Sequence, residues 1–163
     1  MKSAALPVIY SARVRPEWID GNDHLNVEYY MVVFDEVSDA FLIACGLTAE
    51  HRRKHQVTTF AVEAHATFER EVREGDLLDF TTQLIAFTEK KIHYLHRMLD
   101  AEQGYLAATN ELLSLHIDMR RRRPAPMADS ILTRLEEIQE AQAGLPPPPQ
   151  LGRVIGVRAR RPA

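Results

Sequence analysis

With a single cysteine, Cys45, the chain can close no internal disulfide and build no cysteine-based zinc cluster. That cysteine stands in "FLIACGL" and reads as a small buried hydrophobe rather than a nucleophile. No apolar run approaches the roughly 18 residues that a membrane span needs. "MKSAALPVIY" lacks the apolar core and small-residue cleavage site of a signal peptide. Nor is there an excess of positive charge: 20 Lys and Arg against 23 Asp and Glu leave a net charge of −3 and no general case for nucleic acid. Glycine-rich phosphate loops and a serine-centred elbow are absent. His93, His96 and His116 have no metal-ligand spacing, so no metal site is expected. What remains is a cytoplasmic chain of 163 residues, 45% hydrophobic, long enough for one domain with a core.

The order of elements is legible in the periodicity. "LPVIYSARVR" (6–15), rich in β-branched residues, reads as a strand that Pro16 ends. From Val27 to Ala44, Tyr30, Val33, Phe34, Val37, Phe41 and Ala44 recur at helical spacing, with Asn26 as N-cap and Gly46 as stop. Met31, Val32, Leu42 and Ile43 make this helix apolar around most of its circumference, so it should be wrapped on several sides. "TAEHRRKHQ" (48–56) is a short polar helix or loop. The period then becomes two. In the strand at 57–70, Phe60, Val62, Ala64, Ala66 and Phe68 should share one face, and Ala61, Glu63, His65, Thr67 and Glu69 the other. "LLDFTTQLIAF" (77–87), with Leu78, Phe80, Thr82, Leu84 and Ala86 on one face, "IHYLHRML" (92–99) and "YLAATNELLSLHID" (105–118) continue an antiparallel meander. "RRRRPAPM" (120–127) closes the sheet, and a helix from Asp129 presents Ile131, Leu132, Leu135 and Ile138 before Gly144. The domain is expected over 1–144, with 145–163 a Pro- and Arg-rich tail that is extended or docked on a partner. One sheet buries an apolar helix in its middle only by curling around it. The expected class is α+β, a hot-dog fold with an extra C-terminal helix.

The remaining signal is the loop "WIDGNDHLNVEYY" (18–30), which crowds Asp20, Asn22, Asp23, His24 and Asn26 at the mouth of that helix. Such residues suit any turn before a helix. They also suit acyl chemistry: Asp20 offers a carboxylate to attack a carbonyl or activate water, and a helix N-terminus offers unpaired N–H groups to an oxyanion. The loop resembles that of hot-dog thioesterases. The plant acyl-carrier-protein thioesterases carry Asp-x-Asn-x-His-x-Asn, matched here by Asp20, Asn22, His24 and Asn26. Over about residues 10–145, "FAVEAHATFEREVREGD", "HRMLDAEQGYLAATNELLSLHID" and "RRPAPM" resemble the thioesterases of bacterial carnitine breakdown that hydrolyse betainyl-CoA. One departure stands out: Asp23 occupies the place where the family usually has Gly.

The resemblance implies an acyl-CoA thioesterase. Asp20 would be catalytic, Asn22 and His24 would orient water or the carbonyl, and Glu71 falls near the catalytic Glu of the plant enzymes. A trimethylammonium acyl group would need aromatic faces and a carboxylate, for which Trp18, Tyr29, Tyr30 and Phe34 with Asp23 or Glu63 are available. Asn26 and the strand pair Glu63 and His65 complete the expected substrate contacts, the latter pair across a homodimer or homotetramer interface. No cofactor is implied, CoA being part of the substrate. Two alternatives stay open. A hot-dog enoyl-CoA hydratase would carry His five residues after Asp, one more than here. A non-catalytic acyl-CoA-binding module would draw on the Asp23 departure.

Overall fold

The computed structural model describes residues 6–157. Residues 1–5, at the start of the segment read as carrying no signal peptide, and 158–163 of the expected tail lie outside the described residues. The strands are β1 (Val8–Arg13), β2 (Val57–Phe68), β3 (Leu77–Phe87), β4 (Lys91–Asp100), β5 (Leu106–Asp118) and β6 (Arg123–Pro124). They form one antiparallel sheet in the order β1-β3-β4-β5-β2, with β6 paired to β5. The helices are α1 (Val27–Ala44), α2 (Ala49–His55) and α3 (Asp129–Ala141).

The bounds of α1 are those its apolar spacing predicts. Asn26 Oδ1 accepts from Glu28 N at 3.3 Å, and Gly46 takes φ +98°, the left-handed turn that stops the helix. Tyr30, Val33, Phe34, Val37, Phe41 and Leu42 are buried against the sheet, which curls around them. This is the hot-dog arrangement. The wrapping is less complete than the composition predicts: Val27, Met31, Val32 and Ile43 remain exposed, because one curled sheet covers only one side of the helix. Among the described residues no helix is long and apolar enough to cross a membrane.

Two bulges alter the expected faces. The register of β2 on β5 shifts between Ala61 and Glu63, so Val62 is an extra residue and the alternation changes hand. Ala64, Ala66 and Phe68 face the core side, opposite Leu112, Asn110 and Ala108, whereas Phe60 pairs with Leu115 and joins Glu63, His65 and Thr67 on the outer face. In β3 the register slips between Leu84 and Ala86, which turns Ala86 outward opposite His93. Strict alternation fails at both places because one unpaired residue flips every side chain beyond it.

The core forms two clusters along α1. One gathers Tyr30, Val33, Phe34, Leu78, Phe80 and Met98; the other gathers Phe41, Leu47, Leu84, Tyr94, Ile131 and Leu135. His96 lies between them, stacked on Phe34 at 6.1 Å and tilted on Tyr94 at 5.0 Å. Cys45 is fully buried in the second cluster, and burial pushes its thiol up to about 12.

Past α3 the chain becomes a strap over its own sheet. β1 covers the edge of β3 only as far as Thr81, and beyond it Gln142 bonds Leu84 N at 2.8 Å and Thr82 O at 3.1 Å in the manner of a missing strand. Gln83 Nε2 donates to Pro146 O, Pro148 is buried, and Gly152 N reaches Glu111 Oε2 at 2.8 Å on the outer face.

Candidate active site

The loop before α1 is closed by its own backbone. Ile19 bridges Leu25, Asp20 N donates to His24 O, and Asn26 N donates to Trp18 O. Within it Asn22 holds the Asp20 carboxylate twice, through its backbone N–H at 2.8 Å and its side-chain amide at 3.5 Å. The backbone N–H of Asn22, ahead of its amide and of His24, draws the Asp20 carboxyl below its ordinary 3.8, against a smaller opposing effect of burial. Asp20 is therefore ionised at neutral pH. His24 Nδ1 lies 3.7 Å from Asp20 Oδ1, too far for a hydrogen bond.

A hydrogen bond from Leu25 N to Val72 O, 2.7 Å long, pins this loop beside the segment that follows β2. Between them opens a cleft of about 340 Å³. Asp20 and His24 line it from the loop, Val27 and Tyr30 from the first turn of α1, and Phe68, Glu69, Arg70 and Glu71 from the end of β2. At the helix mouth Asn26 takes the N–H of Glu28 on its side chain and that of Tyr29 on its carbonyl. The Val27 N–H has no partner among the described residues, and it carries the positive end of the helix dipole at the cleft wall.

The structure thus brings Asp20, His24, Tyr30 and Glu71 together. Asn22 stands behind the carboxylate it orients, and Asn26 is the helix cap. Trp18 and Phe34 do not line the cleft: Trp18 is buried with its ring stacked 5.9 Å from Tyr29, and Phe34 is fully buried between Phe80 and His96. Glu63 and His65 lie elsewhere, in an outer-face depression with His93 and Glu111, themselves joined by a 2.8 Å bond. Among the described residues no three His, Cys, Asp or Glu side chains converge as a metal site.

A family model described as the thioesterase-like superfamily matches residues 14–135. The chain belongs to the thioesterase-like superfamily. It is 35% identical over 148 residues to the betainyl-CoA thioesterase of Pseudomonas aeruginosa, covering 91% of this chain and 93% of that protein. It is 30% identical to the L-carnitine dehydrogenase/betainyl-CoA thioesterase of Rhizobium meliloti, over 91% of this chain and 30% of that longer protein. Among solved structures, a hypothetical protein of Staphylococcus aureus in complex with CoA matches with a TM-score of 0.88 and 26% identity, covering 97% of this chain and all of that one.

Within this thioesterase superfamily the Asp23 departure has a simple physical outcome. Asp23 takes φ +63°, the left-handed conformation that glycine adopts freely and Asp tolerates better than most side chains. Asp is thus accommodated at a turn of the kind that favours glycine. Sequence reading passed over Val27, Phe68, Glu69 and Arg70 as residues lining this cleft. The last three stand in the quoted "TFEREV", but it is contacts made far along the chain, Leu25 with Val72 and Tyr30 with Phe68, that turn that strand end into a cleft wall.

Proposed function

We propose that the chain hydrolyses betainyl-CoA to betaine and free CoA. The observation that carries this reading is the lining of the cleft: the carboxylates Asp20, Glu69 and Glu71, with Arg70 the lining cation and Arg153 and Arg73 flanking Glu69 and Glu71, stand beside the rings of Tyr30 and Phe68. Aromatic faces with carboxylates close by favour a compact cation over a long neutral chain. The ionised Asp20 attacks the thioester carbonyl, or takes a proton from the water that does, while the Val27 N–H and the α1 dipole receive the oxyanion. The C–S bond then breaks, the thiolate of CoA leaves, and water supplies the hydroxyl of the acid. No cofactor takes part.

The test follows free thiol release from betainyl-CoA and palmitoyl-CoA with a thiol-reactive dye. Betainyl-CoA should be turned over the faster; a higher rate on the long chain would sink the substrate assignment. Loss of enoyl absorbance without thiol release would point instead to a hydratase.

We also propose a cytoplasmic homodimer, or a tetramer built from it. β2 is an outer strand of 12 residues with Phe60 and Val62 exposed, and a free edge of that length tends to find a partner strand. Light scattering at micromolar concentration should give at least twice the chain mass; a monomer would refute this assembly.

A further inference from the structure

Glu69 stands where the cleft, the end of β2 and the C-terminal strap meet. Its Oε1 accepts from the Thr67 hydroxyl at 3.1 Å and from the Gln150 amide at 3.3 Å, and the Arg153 guanidinium lies 3.6 Å from the same oxygen. Oε2 has no partner among the described residues. One oxygen is thus anchored by Thr67 and the strap, and Glu69 helps to form the wall of the cleft. Next to it Phe68 is 50% exposed and meets the edge of Tyr30 at 4.9 Å.

We propose that Glu69 is the specificity-determining counter-ion for a cationic acyl group, and that the C-terminal strap, through Gln150, is what positions it. The inference rests on the betainyl-CoA reading and deepens it. A trimethylammonium has no N–H to donate and spreads its charge over methyl groups, so it is held by aromatic faces and a nearby carboxylate. Of the cleft carboxylates, Asp20 is committed to Asn22 and to the carbonyl. Glu71 is 59% exposed and lies 3.7 Å from Arg73, so solvent and a cation both screen it. Glu69 also has a cation beside it, Arg153 at 3.6 Å on Oε1, but its side chain is only 34% exposed, so solvent screens it less. The Pro-rich run before Gln150 has a physical part in this: with Pro148 buried, it sets where Gln150 arrives beneath Glu69.

The test compares betainyl-CoA with tert-butylacetyl-CoA, which replaces the quaternary nitrogen by carbon and keeps the shape. Glu69→Gln should lower kcat/KM on betainyl-CoA about thirtyfold and leave the carbon isostere within about twofold. Gln150→Ala, which changes no charge, should reduce the preference for the cation about threefold. Equal losses on both substrates, or an unmoved preference in Glu69→Gln, overturn the counter-ion. An unmoved preference in Gln150→Ala overturns the strap's part. Wild-type protein that prefers the carbon isostere overturns the betainyl-CoA reading itself, a result distinct from either variant's.

Discussion

Replacing Asp20 with alanine is expected to lower turnover at saturating acyl-CoA by at least about a hundredfold, the loss typical of a removed catalytic carboxylate. The fold should persist, because the carboxylate is 27% exposed on a loop and takes only local hydrogen bonds from Asn22. Asp20→Asn keeps the shape and an acceptor for the Asn22 N–H, so its loss should be smaller. The measurement is thiol release, with circular dichroism to confirm folding; a folded Asp20→Ala protein with near-wild-type turnover would rule the mechanism out. The pH dependence follows from the same contacts. The ionised form is the active one and its folded pKa lies below 3.8, so activity governed by Asp20 fails only as pH falls through that lowered value. Activity lost between neutrality and about pH 4 must have another origin.

That origin is expected at His96. The ring is fully buried, and burial pushes its pKa from 6.5 down to about 3. Its hydrogen bonds are complete in the neutral form. Ser38 gives its proton to Phe34 O at 2.9 Å, so it accepts from Nε2–H at 2.9 Å, while Thr82 donates to Nδ1 at 2.7 Å. Between pH 6.5 and about 3 the unfolded chain carries a proton on this side chain that the folded one refuses. Stability from this group is whole above the upper value and is lost progressively as pH falls toward the lower one. The full difference is on the order of 5 kcal/mol, a large share of a small domain's stability. Urea midpoints at neutral and acid pH should therefore fall steeply in the wild type and less steeply in His96→Gln, which bonds similarly and does not titrate. The same acid slope in both proteins would show that His96 is not the cause.

How far the sequence reaches is clearest at α1 and β2. For α1 the cap, the stop and the apolar spacing are all local, and its bounds, Val27 to Ala44, follow from them. In β2 the period of two is equally local, yet one bulge reverses the face of Phe60 relative to Ala64, and no residue type at Ala61 or Val62 announces it. The site divides in the same way. Asp20 and Asn22 are neighbours in sequence, but Asn22, expected to orient water or the carbonyl, holds the Asp20 carboxylate instead. Phe34, expected as a binding aromatic for its place near the loop, lies one turn beyond Tyr30, and that turn carries it from the cleft wall into the core. For the strap, proline content suggests an extended or partner-docked course; where it lies depends on single hydrogen bonds, from Gln83 to Pro146 O, from Gln150 to Glu69 and from Gly152 N to Glu111.

The two bulges have a consequence of their own. Counted across the ladders, the slip after Leu84 and the slip after Ala61 fall within one residue row of each other, on the two strands that flank the central pair β4 and β5. They act as a crease across the sheet. The cluster that backs the cleft, from Tyr30 to Met98, packs on one side of it, whereas the cluster holding α3 straddles it, with Leu84, Tyr94 and Leu112 on the cleft side and Ile92 beyond. The register is therefore unbroken from the Met98 row behind the cleft to the row of Leu84, Tyr94, Leu112 and Ala64, and the sheet changes course only beyond it.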